Sequence, residues 1–161
     1  MGFEMRRALV VGIDDYSSAP LSGCVNDARL ISELLARHED GSPNFDCKIV
    51  TAPHEAVTRS SLKQSIEALF QHEAEIALFY FSGHGTANNL GGFLVTQDAR
   101  RYDEGVAMHD VLTLANSASK ISEIVILLDC CHSGAFGQVP AIGNQTVLRE
   151  GRTSCMATPS S

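Results

Sequence analysis

Short apolar runs with no polar alternation constrain this chain more than any other feature. Residues 7–13, 76–81 and 124–128 are apolar at nearly every position. A strand with one wet face would alternate, so runs like these predict strands buried on both faces. Residues 45–51 read as a further strand, and Phe93-Leu94-Val95, after Gly91-Gly92, as a short one in a hairpin. The stretches between have helical period. Leu30, Ile31, Leu34 and Leu35 share one face of 26–38, Leu62, Ile66, Leu69 and Phe70 one stripe of 59–72, and Val111, Leu112 and Ala115 one side of 106–117. Asn26 or Asp27 is placed to cap the first helix, and Ser61-Leu62-Lys63-Gln64 reads as a capping box for the second. This order predicts the α/β class, a mostly parallel sheet with helices on both faces.

The chain has 161 residues, enough for one core and too few for two. A composition of 44% hydrophobic and 19% charged residues excludes disorder. The net charge is −7, and no basic run is longer than the pairs Arg6-Arg7 and Arg100-Arg101. Such a chain repels phosphate backbones, so no nucleic acid is expected as partner. No apolar stretch approaches the roughly 20 residues of a membrane span, so no membrane partner is expected either. No signal peptide is evident, because the first apolar run meets Asp14 after Ile13. The cysteines are Cys24, Cys47, Cys130, Cys131 and Cys155. Their odd number and lack of paired spacing predict neither a metal site nor a disulfide framework, and point to a reducing, cytoplasmic location. Residues 133–151 read as a loop and 153–158 as the start of another strand, which suggests a piece of a longer protein.

The polar residues that follow the strands concentrate the chemistry. In open α/β sheets ligands bind beyond the carboxyl ends of the strands. Here those ends carry Asp14-Asp15, Ser82-Gly83-His84-Gly85 and Asp129-Cys130-Cys131-His132-Ser133-Gly134. A histidine and a cysteine at two such ends can meet, and a thiol needs a base to become a nucleophile at neutral pH. His38, His54, His72 and His109 lie in helices or loops and are expected on the surface. A nucleotide-binding domain is the rival from another class, but the turn after Gly12 lacks both the G-x-G-x-x-G spacing and a Walker lysine.

Four segments, in order, carry a resemblance: Ala8-Leu-Val-Val-Gly-Ile-Asp14, Leu21-Ser-Gly-Cys-Val-Asn-Asp-Ala28, Phe79-Tyr-Phe-Ser-Gly-His-Gly85 and Leu128-Asp-Cys-Cys-His-Ser-Gly134. In these the chain resembles the caspase-like cysteine peptidases, in particular their metacaspase and bacterial branch. His84 stands about 50 residues before Cys131, the spacing found in caspases. The Q-A-C signature of true caspases is replaced by Asp-Cys-Cys-His-Ser-Gly. The resemblance implies a caspase-like domain over 6–161, corresponding to the large-subunit part, with a C-terminal part or separate small subunit completing it. It implies Cys131 as nucleophile, His84 as general acid/base, and the N–H groups of Gly85 and Cys131 as oxyanion hole. Cys130 is then the bystander, packed on the opposite side of the strand end.

The resemblance also implies that Asp27 and Ser82 line the substrate pocket. Asp129, two residues before Cys131, shares its face of the strand. Two carboxylates in one pocket repel unless a cation lies between them, and a substrate arginine provides that cation with a fork of donors, lysine second. The expected partner is therefore a protein cut after Arg or Lys. Limited proteolysis in stress, cell-death or defence signalling, synthesis as a zymogen and control by a regulatory protein come from the resemblance alone. The chemistry requires no cofactor. Calcium activates many relatives of this kind, and Asp98, Asp103 and Glu104 lie near where ligands are expected, but no adjacent acidic pair follows that strand and Gln138 occupies a further carboxylate's stretch. The alternative within the same family is a non-catalytic scaffold.

Overall fold

The structure, a computed structural model, describes residues 5–130 and the strand at 146–148. Strand β1 (Arg6–Ile13) leads through helix α1 (Cys24–Ala36) to β2 (Phe45–Ala52), then through α2 (Arg59–Gln71) to β3 (Ala74–Gly83). Three strands follow, β4 (Gly85–Asn88), β5 (Gly91–Arg100) and β6 (Asp103–Ala107). Helix α3 (Met108–Asn116) then returns the chain to β7 (Ile121–Cys130), and β8 (Thr146–Leu148) completes the order.

β2, β1, β3, β7 and β8 lie side by side in that order, every pair parallel. This is the arrangement the apolar runs require, because each face is covered. On one face Leu9, Val11, Phe79, Phe81 and Ile126 pack against Leu62 and Ile66 of α2 and Val111 and Leu112 of α3. On the other, Ala8, Val10, Leu78 and Tyr80 meet Ala28, Ile31 and Leu35 of α1. Gly12 sets how close α1 comes. A Cβ there would lie 2.5 Å from the Cys24 carbonyl oxygen and 2.8 Å from the Ala28 Cβ, so only glycine lets the start of α1 rest on β1.

β4, β5 and β6 form a separate antiparallel sheet beyond the carboxyl end of β3. The short hairpin strand expected at 93–95 is thus a ten-residue strand with a partner on each side. The third helix begins at Met108 rather than 106, because Val106 still pairs with Leu94. The first helix begins at Cys24, so Asn26 and Asp27 lie within its first turn and do not cap it; its N-cap is Gly23. The capping box of α2 sits three residues earlier than expected. Thr58 accepts from the Ser61 N–H at 3.1 Å, and the Thr58 N–H donates to the Ser61 hydroxyl at 2.9 Å. Within the stretch read as a loop, Thr146–Leu148 pairs with Ile124–Ile126 of β7. The strand expected at 153–158 lies outside the described residues. Among the described residues, no helix is long and apolar enough to cross a membrane.

Candidate active site

β3 and β7 run in register to their carboxyl ends, where Ser82 faces Asp129 and Gly83 faces Cys130. Gly12 of β1 is the other neighbour of Ser82. Parallel pairing therefore brings the polar residues after three apolar runs to one rim of the sheet.

Asp27, from the first turn of α1, faces that rim. Together with Leu30, Ile31, Tyr80, Leu127, Leu128 and Asp129 it lines an open cleft of about 310 Å³. The Tyr80 hydroxyl donates to Oδ2 of Asp129 at 3.3 Å. Partial burial lifts the Asp27 carboxyl above its ordinary value, and the negative charges of Asp129 and Asp14 add to the effect. Burial likewise raises the Tyr80 phenol well above its usual range, reinforced by the Asp129 charge and opposed by a hydrogen bond with Ser82. Ser82 itself is buried. Asp27 and Asp129 thus share the cleft with Tyr80, Ser82 lies buried beside Asp129, and among the described residues none that lines the cleft is basic.

His84 is the single residue between β3 and β4, at the corner where the chain leaves the parallel sheet. Its Nε2 lies 2.7 Å from the Ala19 carbonyl oxygen. A carbonyl only accepts, so Nε2 donates, and in the neutral ring Nδ1 is left as the acceptor. The Tyr16 ring lies against the imidazole with centroids 4.6 Å apart and planes tilted by 55°. The His84 N–H donates to the Tyr16 hydroxyl at 3.0 Å. Gly85, buried, opens β4 opposite Leu94.

Other polar residues near the rim serve the fold. Asp14 accepts from the N–H groups of Cys24 and Val25 at 2.9 and 3.2 Å, capping α1 in place of the side chain that Gly23 lacks. Asp15 accepts from the Gln97 amide. Asp98 accepts from the Arg59 N–H at 2.9 Å and the Thr96 hydroxyl at 2.6 Å. Burial pushes the Asp98 carboxyl up, but those hydrogen bonds outweigh it and hold it below the ordinary range. Asp103 pairs with the Arg59 guanidinium. Two of the carboxylates considered for calcium are therefore engaged at the start of α2, and among the described residues no three His, Cys, Asp or Glu side chains converge as a metal site. His38, His54, His72 and His109 are all exposed.

Cys130 is buried in the larger core cluster, on the side away from the cleft. Cys131, expected as nucleophile and oxyanion-hole donor, lies outside the described residues, as does Gln138. Nothing in the motifs singles out Tyr16 or Ala19, which hold His84. The one trace is that Tyr16 is the single aromatic residue in the loop after β1.

A family model described as the caspase domain matches residues 5–159. Among curated proteins, Metacaspase-3 of Trypanosoma cruzi (strain CL Brener) is 28% identical, over 89% of this chain and 45% of its own length. Metacaspase-1 of Arabidopsis thaliana is 25% identical, over 84% of this chain and 41% of its own length. The chain thus spans less than half the length of these relatives. A crystal structure of a Geobacter sulfurreducens protein superposes with a TM-score of 0.61 over 80% of this chain and 51% of that one, at 19% identity, which supports the fold alone.

Proposed function

The chain belongs to the caspase-domain family and is a metacaspase-like member of it, and on that footing we propose that it is the dyad-bearing part of a cysteine endopeptidase that cuts after arginine, with lysine second. Cys131 is the nucleophile and His84 its base. Nδ1 takes the thiol proton as sulfur bonds to the scissile carbonyl carbon, then returns it to the leaving amine. Water, activated by the same nitrogen, hydrolyses the thioester. The N–H groups of Gly85 and Cys131 receive the developing oxyanion. The contact from Nε2 to Ala19 supports the role of His84, because it fixes the tautomer such a base needs. The last register pair, Gly83 with Cys130, supports the dyad, because His84 and Cys131 are the next residues in sequence.

The observation that carries the specificity is the placing of Asp27 and Asp129 in one cleft that, among the described residues, no basic side chain lines. Their repulsion is relieved by a cation, and the fork of arginine reaches both carboxylates. Ser82, buried and hydrogen-bonded with Tyr80, supports the floor of the cleft from beneath. Residues 6–161 are read as the large-subunit part of a longer cytoplasmic zymogen, completed by a smaller part, with protein substrates cut in limited proteolysis. Calcium remains a proposal for activation, not for chemistry.

Two peptides differing only in Arg or Asp before the scissile bond test this on the full-length protein. Cys131→Ala serves as control, with calcium present or chelated. Cysteine-dependent cleavage after Arg is expected. Cleavage after Asp overturns the acidic-pocket reading and leaves the dyad standing. No cleavage, together with no labelling of Cys131 by a peptidyl-arginine chloromethylketone, overturns the peptidase in favour of a scaffold.

A further inference from the structure

The β3–β4 corner holds a hydroxyl where a sheet would hold a direct bond. The Val95 N–H donates to the His84 carbonyl at 2.9 Å, as in an ordinary antiparallel pair. The reciprocal bond is missing. Instead the His84 N–H donates to the Tyr16 hydroxyl at 3.0 Å, and that hydroxyl donates to the Val95 carbonyl at 3.0 Å. The phenol is wedged into the ladder, one donor and one acceptor used in turn.

The wedge ties together three segments distant in sequence: the loop after β1, the end of β3 and the middle of β5. Tyr16 is buried, and its hydroxyl finds both a donor and an acceptor within the protein. The same side chain lays its ring against the imidazole. Gly83 bears the mark of this arrangement. A Cβ there would fall 2.6 Å from the Tyr16 oxygen, with the Phe81 ring next at 3.0 Å. Glycine at this position leaves room for the wedge.

We infer that Tyr16 is a positioning residue for His84, its hydroxyl splitting the ladder to set the backbone at the corner and its ring setting the tilt of the imidazole. The inference rests on His84 as the base of the proposed dyad. Tyr16 is not among the described residues that line the cleft, so its effect should fall on turnover rather than on substrate binding.

The test is Tyr16→Phe, which keeps the ring and removes the wedge. In the full-length protein, kcat per active site titrated with chloromethylketone should fall roughly ten- to a hundredfold, with KM for the Arg peptide unchanged. Counting titrated sites removes any loss of folded protein from the comparison. Hydrogen exchange reads the same geometry without activity: the His84 amide should exchange at least about tenfold faster in Tyr16→Phe, with Phe79 and Phe81 unaffected. Gly83→Ala adds a second arm. It should be damaging alone and less so on the Tyr16→Phe background, because the closest collision, with the Tyr16 oxygen, is gone and only the looser one with the Phe81 ring is left. Unchanged kcat, a KM effect alone, unchanged His84 exchange, or additive damage from the two substitutions each overturns the inference. If the wild-type protein cleaves nothing, the peptidase reading fails by itself, and the exchange and double-variant arms still decide what Tyr16 does.

Discussion

The Tyr80 hydroxyl donates to the Asp129 carboxylate across the floor of the cleft, from β3 to β7. It orients one of the two charges that a basic substrate side chain would meet. Tyr80→Phe leaves the ring and removes the donor. A hydrogen bond of this kind is worth about 1 kcal/mol or somewhat more. KM for an Arg peptide should therefore rise a few-fold, on the order of three to ten, while kcat changes little. Steady-state kinetics on the purified variant check this.

Asp27 should give the cleft a pH dependence of definite sign. Its folded-state carboxyl is lifted by burial and by its acidic neighbours, so ionising it opposes folding. Its contribution to stability is present below its unfolded pKa of about 3.9 and is lost as pH rises through the higher folded value. A bound guanidinium reverses the preference. KM for Arg peptides should thus rise on acidification, starting above the pH where an ordinary aspartate titrates. Asp27→Asn should flatten that profile and raise KM at neutral pH by about tenfold or more. The same substitution should raise the urea midpoint at neutral pH and leave it unchanged at strongly acid pH.

Asp14 holds the first two N–H groups of α1. Asp14→Ala leaves the helix start without a cap and should cost about 1–2 kcal/mol. Asp14→Asn keeps one acceptor and should cost less. Urea denaturation of the two variants ranks them, and equal stability to wild type would remove Asp14 from this role.

Gly12→Ala is expected to destabilise by about 1–3 kcal/mol, since the new methyl must push the start of α1 off β1. Because Asp27 rides on that helix turn, KM for Arg peptides should rise as well. A thermal melt combined with kinetics separates the two effects.

The central strands were legible because their apolar runs are uninterrupted and too short for a buried helix. The gathering of polar residues at one rim was legible because such residues follow each run. The antiparallel sheet was not. β5 continues through Thr96, Gln97 and Asp98, polar residues whose bonds to α2 and to the loop after β1 replace the apolar pattern a reader looks for. The start of α1 was misplaced for a similar reason. Its cap is Asp14, ten residues before the helix, and local rules look only next door. Tyr16 was invisible because its partners, His84 and Val95, lie 68 and 79 residues further on. Asp27 entered the pocket through resemblance alone, since spacing does not tell a reader that the first turn of α1 shares a cleft with the end of β7.

The strand order β2-β1-β3-β7 has a temporal consequence. β1 is central, yet its second partner is made only after α1, β2 and α2 have been synthesised, and β7 later still. Such non-local parallel pairing raises contact order and delays folding. Asp27, Tyr80 and Asp129 come from opposite ends of this schedule, so the acidic cleft exists only once the last central strand has docked. A nascent chain on the ribosome would carry His84 and Asp27 without that cleft, and on the proposed reading could not select a substrate before β7 has joined the sheet.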